Sequence, residues 1–305
     1  MIEIVKNTNI DFMGKKYIAF TISALLVLSG IFAIFQIVKG TANLGIDFAG
    51  GTQVQVKFDK HVPLQEVREA LDRKGITDVE LQDLPTVNKV LIKVKKKETK
   101  LGGIADTIIA SLKSHFTAKS VTVDSVMEIG PKVGKKLRED ALWAIIAATI
   151  GILIYIAWRF QFRFSVGATA ATFHDVLAVL GLFNLMKIEI NLIVVSALLT
   201  IAGYSLTDTV VVFDRIRENL RMVIKEPVEK VINRSINETL SRTLITSLTT
   251  LLAAGALFVF GGEVIHTFAL AMILGIIVGT YSSIFVASPI VLLWGGKKPL
   301  RFKNR

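Results

Sequence analysis

At 305 residues, 52% hydrophobic and with a mean hydropathy of +0.56, the chain is too apolar for an ordinary soluble domain of its length. Its formal net charge of +11 requires no nucleic acid, because basic loops suit anionic lipid headgroups. The lack of cysteine excludes a disulfide framework and a thiolate metal site.

Residues 1–38 comprise a basic N-terminus and a first apolar run, 17–38. About 20 helical residues cross a hydrocarbon core of about 30 Å. Five further runs reach that length: 140–158, 164–186, 191–213, 243–261 and 266–293. The first run follows Lys15 and Lys16, but it is longer than the roughly 7–15-residue core of a secretory signal and reads as an anchor. Between the first two runs lie the polar residues 39–138, too many for a structureless loop. Within them TQVQVKF (52–58) alternates like a strand, and PLQEVREALDRKG (63–75) places Leu64, Val67, Ala70 and Leu71 at helical spacing. VELQDL and KVLIKVKKK read as strands, IADTIIASLKSHF as a second helix and KSVTVDSVMEI as a last strand. That order is the one of a split βαβ, ferredoxin-like α+β sandwich. The run KVKKKETK before Gly102 and Gly103 reads as an exposed strand end and turn, with a binding patch as the rarer alternative. Residues 139–294 then form a five-helix membrane bundle with a cytoplasmic segment, 214–242, and residues 295–305 a basic tail.

Basic residues orient the spans. Lys6, Lys15, Lys16, Arg159, Arg163, the cluster between 214 and 242 and the tail GGKKPLRFKNR fall on one side; among the two short loops KIEI and GGEVIH on the other, only Lys187 does. The positive-inside rule therefore places both termini in the cytoplasm and 39–138 outside. Lys39, Lys135, Lys136 and Arg138 count against this, although large translocated domains largely escape the rule.

Asp208 stands inside the fourth run, in GYSLTDTVVVFD. An ionised Asp at a span centre costs roughly 2.5–3.5 kcal/mol on insertion scales, so such residues face protein or water and mark function by default. Ser196, Thr200, Tyr204 and Asp208 recur every four residues and should share a face turned away from lipid. In the fifth run Arg242 enters the membrane from the side toward which Asp208 is displaced, and Thr246 and Thr249 share its face, so the two charges are expected to meet. The alternative is an ion pair that only fixes helix packing, or an Arg that snorkels to the interface. Arg keeps its proton, which leaves Asp208 as the titrating member. Asp175, beside His174 in the third run, suits either a buried hydrogen-bonding role or proton transfer; His174 alone is more often a packing residue. Gly255, Gly261, Gly275 and Gly279 permit close helix approach. Arg215, Arg217 and Arg221 read as a cytoplasmic helix face near lipid headgroups, with a channel-protein contact as the rarer alternative. No hydrolytic triad, P-loop or metal cluster is legible, so the chain is not read as an enzyme, and no metal or cofactor is expected.

NLGIDFAGGTQVQV (43–56) places Asp47 among Gly45, Gly50 and Gly51, which suggests a tight turn where helix gives way to strand. Together with GPKVGKKLREDALWAI (130–145), ATFHDV (171–176) and GYSLTDTVVVFDRIRENLR (203–221), this motif resembles the SecD/SecF protein-export membrane proteins, on the SecF side, from the first span through the sixth. That family is related to resistance-nodulation-division (RND) transporters. The resemblance implies a subunit that pairs with SecD beside the SecYEG channel, possible association with YajC, and contact with translocating unfolded polypeptide and membrane lipids but not nucleic acid. It implies the inner membrane and the proton gradient as energy source, with functional roles for Asp208 and Arg242. An RND-like small-molecule exporter, which should carry a larger outer region, and a non-conducting scaffold of the translocon are the rival readings.

Overall fold

The computed structural model describes residues 8–84, 87–95, 103–116, 121–222 and 226–295. Lys6, most of the basic run after Lys95 and the tail beyond Gly295 lie outside the described residues. The chain divides into two compact units, one formed by Leu44–Trp143 and the other by the remainder.

In the first unit, the GG segment is not a simple turn. Residues Ile46–Ala49 make a single helical turn, α2, before strand β1, Gly51–Phe58. Gly45 is extended there (φ −65°, ψ 167°), a conformation open to any residue. Gly50 (φ 75°, ψ 153°) occupies a region that essentially only glycine enters. A Cβ at Gly50 would also lie 3.1 Å from Pro131 Cα and 3.3 Å from the Ile129 carbonyl oxygen. The motif thus locks the start of β1 against the chain that follows the last strand. Gly50→Val should lower stability by at least about 2 kcal/mol, from backbone strain and overpacking together. Asp47→Asn should change it by under about 1 kcal/mol, and thermal unfolding of the purified chain compares the two.

The rest of this unit follows the expected order: α3 (Leu64–Asp72), β2 (Val79–Leu84), β3 (Lys89–Lys95), α4 (Ile104–His115) and β4 (Val121–Ile129). All pairings are antiparallel, in the order β2-β3-β1-β4. Period-two alternation turns Val54, Val56 and Phe58 of β1 to one face, where Val90 and Ile92 join them. Val67 and Leu71 of α3 and Ile108 and Leu112 of α4 close that core. The sheet is covered by helices on this face, a two-layer α+β sandwich.

The second unit contains five of the spans and the part of the other, Pro131–Arg159, that lies beyond Trp143. Among the described residues six helices are long and apolar enough to cross a membrane: Met13–Lys39, Pro131–Arg159, Phe162–Leu185, Leu192–Met222, Val228–Phe260 and Ile265–Trp294. Their regular helical parts are α1 (Lys16–Lys39), α5 (Pro131–Arg159), α6 (Phe162–Leu185), α7 (Leu192–Met222), α8 (Val228–Phe260) and α9 (Gly262–Ser282). The last span continues through a π-helical turn, Ser283–Ala287, into α10, Ser288–Gly295. Most of the segment expected between spans at 214–242 is helical extension of α7 and α8. The burial of the spans ranks them: 61% of the apolar window is buried in α6 and in the last span, 50% in α7, and only 11% in α5 and in α8. α6, α7 and α9 are therefore the centre of this unit.

Small residues set the close approaches. A Cβ on Gly30 of α1 would strike the Leu177 carbonyl of α6, and one on Gly181 would strike Ser29. Gly275 and Gly279 of α9 likewise receive Ile201 and Ser205 of α7, whereas Gly255 meets no neighbouring atom. Before α1, the segment around Ile10–Met13 is held by two amides of α8. Asn237 exchanges both backbone hydrogen bonds with Ile10 at 2.9 Å, and Asn233 accepts from the Phe12 and Met13 N–H groups at 3.0 Å. Phe12 and Met13 are then buried beside Phe160, Phe164 and Phe213.

Candidate functional site in the spans

Asp175 lies in the middle of α6 and is fully buried. An isolated carboxylate could not remain there; this one is surrounded by donors. Its Oδ2 accepts from the Ser205 hydroxyl of α7 and, at 2.8 Å, from the Ser282 hydroxyl of α9. Its Oδ1 meets His174 Nδ1 at 2.9 Å. His174 is 4% exposed, and its Nε2 has no hydrogen-bond partner among the described residues. The His174 ring lies 6.2 Å from that of Tyr281. The Tyr281 hydroxyl donates to the Ala19 carbonyl of α1 at 2.7 Å and pairs with Ser23 at 3.1 Å.

Asp208, on α7, is held by the next residue of the last span. Its Oδ2 accepts from Ser283 at 2.6 Å. Consecutive serines, Ser282 and Ser283, therefore contact the two acids separately, at the point where α9 passes into its π-helical turn. Such turns concentrate at functional sites. The Ser288 hydroxyl donates to the Ser283 carbonyl at 2.9 Å, an i to i+5 contact that accompanies the turn. Farther along α8 and α9, Ser247 and Thr280 share a hydrogen bond of 2.7 Å.

The expected Asp208–Arg242 contact is not formed. Among the described residues no ion pair within 4 Å joins them, although Arg242 is within electrostatic reach. The cause is the rotation of α8: it turns Thr243 inward, 1% exposed, and Arg242 outward. The Thr243 hydroxyl faces Asp208, and that of Thr209, also 1% exposed, has no hydrogen-bond partner among the described residues. The polar residues of α7 divide between two faces. Ser196 and Thr200 are exposed and donate to carbonyls of their own helix at 2.9 and 2.8 Å, while Ser205 and Thr209, one position on from Tyr204 and Asp208, face the bundle. Arg242, Thr246 and Thr249 form a similar exposed face on α8.

Ser205, Thr243, Ser247, Thr280, Ser282 and Ser283 were not among the expected site residues. The run TYSS at 280–283 was the available signal: four consecutive hydroxyl side chains inside an otherwise apolar span. Gly45, Asp47, Gly50 and Gly51 belong to the other unit and serve the β1 junction described above.

The family model for the C-terminal part of SecD/SecF protein export membrane proteins matches residues 108–297, and that for the SecD/SecF GG motif matches residues 42–62. The chain is 64% identical over 297 residues to the protein translocase subunit SecF of Thermodesulfovibrio yellowstonii, covering 97% of this chain and 98% of that protein. It is 45% identical to the subunit of the same name from Calditerrivibrio nitroreducens, with 96% of each covered. The chain belongs to the SecF family. Among solved structures, it is similar to the SecDF crystal structure from Thermus thermophilus, described as a translocon-associated membrane protein, with a TM-score of 0.81 and 36% identity. A super-membrane-facing form of SecDF matches with a TM-score of 0.68. In both cases 95% of this chain is covered but only 39% of the SecDF chain, so the SecF relative corresponds to a minor part of that longer protein. Family and apolar helices together make this a multi-pass membrane protein.

Proposed function

We propose that this SecF-family chain pairs with a separate SecD-type chain and uses the proton gradient to promote polypeptide export across the cytoplasmic membrane beside a SecYEG channel. Both termini would lie in the cytoplasm, with the ferredoxin-like unit outside, where it meets emerging unfolded polypeptide. YajC is a further candidate for the assembly. The observation that carries this reading is the pair of acids inside the spans, each held by a hydroxyl from one π-helical junction. A hydroxyl can donate to a carboxylate or accept from a carboxylic acid, so the seam tolerates either protonation state.

Asp208 takes the coupling role. When it is protonated, Thr243 is an adequate neighbour. When it ionises, a counter-charge is favoured, and Arg242 is one residue away on α8, which corresponds to a turn of about 100°. Protonation thus biases two settings of α8, a local charge change with a global readout. Asp175 positions Ser282 and, through it, Ser283. The exposed polar faces of α7 and α8 would be costly against lipid and suit a second helix bundle. Gentle purification of the chain from its own cells, followed by mass spectrometry, should recover a SecD-type chain and channel subunits. Recovery of the folded chain with neither would overturn the assembly reading.

A further inference from the structure

Near the ends of α5 and α7, Arg159, Arg217 and Arg221 border a cavity of about 380 Å³, with Asp214 and Glu218 also in its wall. Phe160 organises two of the cations: the Arg159 and Arg217 guanidiniums lie over its ring at 5.0 and 5.4 Å. The two acids of the wall are held by arginines. Asp214 is shared by Arg159 at 2.7 Å and Arg217 at 3.6 Å, while Glu218 turns to Arg215 at 2.7 Å. Arg217 Nε is buried and has no hydrogen-bond partner among the described residues.

The surroundings point to the membrane interface. Trp158 and Phe162, beside the cavity in sequence, are 83% and 71% exposed, and large aromatics of this kind mark headgroup level. Deeper in the span an apolar crevice opens, lined by Ile152 of α5, Phe173 and Val176 of α6, and Leu199 and Ala202 of α7. Arg guanidiniums match phosphate oxygens in paired geometry, and basic pockets between spans suit anionic headgroups. We propose that this cavity binds the phosphate of an anionic glycerophospholipid, with Arg217 and Arg221 as donors and the acyl chains lying along the apolar crevice lined by α5, α6 and α7.

Native mass spectrometry of the full chain in detergent tests this with three probes: phosphatidylglycerol, phosphatidylcholine of the same chain length, and inorganic phosphate. Phosphatidylglycerol should be retained as one molecule per chain, at least about tenfold more tightly than phosphatidylcholine. The Arg217→Gln, Arg221→Gln double variant should lose about tenfold in that affinity at unchanged helical content, whereas Arg234→Gln, another basic position on α8, should match the parent. Should the double variant lose helicity, the exposed Arg221→Gln substitution alone supplies the comparison, with a loss of at least about threefold expected. Equal retention of the two lipids, undiminished binding by the folded arginine variants, or complete displacement of phosphatidylglycerol by inorganic phosphate would each overturn the proposal, the last by making the site one for a free anion.

Discussion

Asp208→Asn is expected to abolish the response of export to an imposed proton gradient while leaving folding and assembly nearly intact. The asparagine carbonyl can accept from Ser283 in place of Oδ2, and its amide can donate to the Thr243 hydroxyl, which already faces this side chain. Stability should therefore change by no more than about 1 kcal/mol. What disappears is titration. Membrane vesicles given a proton gradient should export at the rate seen after an uncoupler collapses it. Asp208→Glu keeps a carboxyl group and should retain part of the response. Arg242→Ala should fail for a different reason: without a counter-charge one residue from Thr243, ionised Asp208 has no compensated setting of α8 to adopt. A gradient-responsive Asn variant would remove Asp208 from the coupling chemistry and leave the scaffold reading standing.

The spans were legible because hydropathy reports the part of a helix that contacts hydrocarbon. It does not report where backbone hydrogen bonding stops. α5 begins at Pro131 and α8 follows Pro227, nine and fifteen residues before the apolar runs at 140 and 243. Proline near a helix start was the readable sign in both places. The ferredoxin-like sheet was legible from element order alone, since strand, helix, strand, strand, helix, strand leaves few right-handed antiparallel arrangements. The site was half legible. A carboxylate in an apolar run announces itself by its desolvation cost, which singled out Asp175 and Asp208. Serine and threonine do not, because a hydroxyl can satisfy itself on its own helix, as Thr246 does on the Arg242 carbonyl at 3.1 Å. Choosing between Arg242 and Thr243 needed the rotation of α8, and neighbouring positions on a helix differ by about 100°. Nothing in the α8 sequence alone sets that angle.

The largest stability effect is expected at Asp175. Asp175→Ala would leave the Ser205 hydroxyl and His174 Nδ1 without their acceptor inside the bundle, while the Ser282 hydroxyl keeps only the Gly279 carbonyl. Each stranded buried group costs about 1–3 kcal/mol. Thermal unfolding in detergent should show a loss of that order and a lower yield of intact chain. Asp175→Asn should behave differently. Its carbonyl oxygen can accept from both serines, and its amide can donate to His174 Nδ1 when the ring carries its proton on Nε2. The junction at Ser282 and Ser283 then keeps its place, and Asp208 keeps its donor. The Asn variant should therefore unfold close to the parent and export with most of the parent's response to the gradient. A stable Asn variant with no such response would instead make Asp175 a carrier of the proton, with His174, whose Nε2 is already buried and unpartnered among the described residues, as the next group to test.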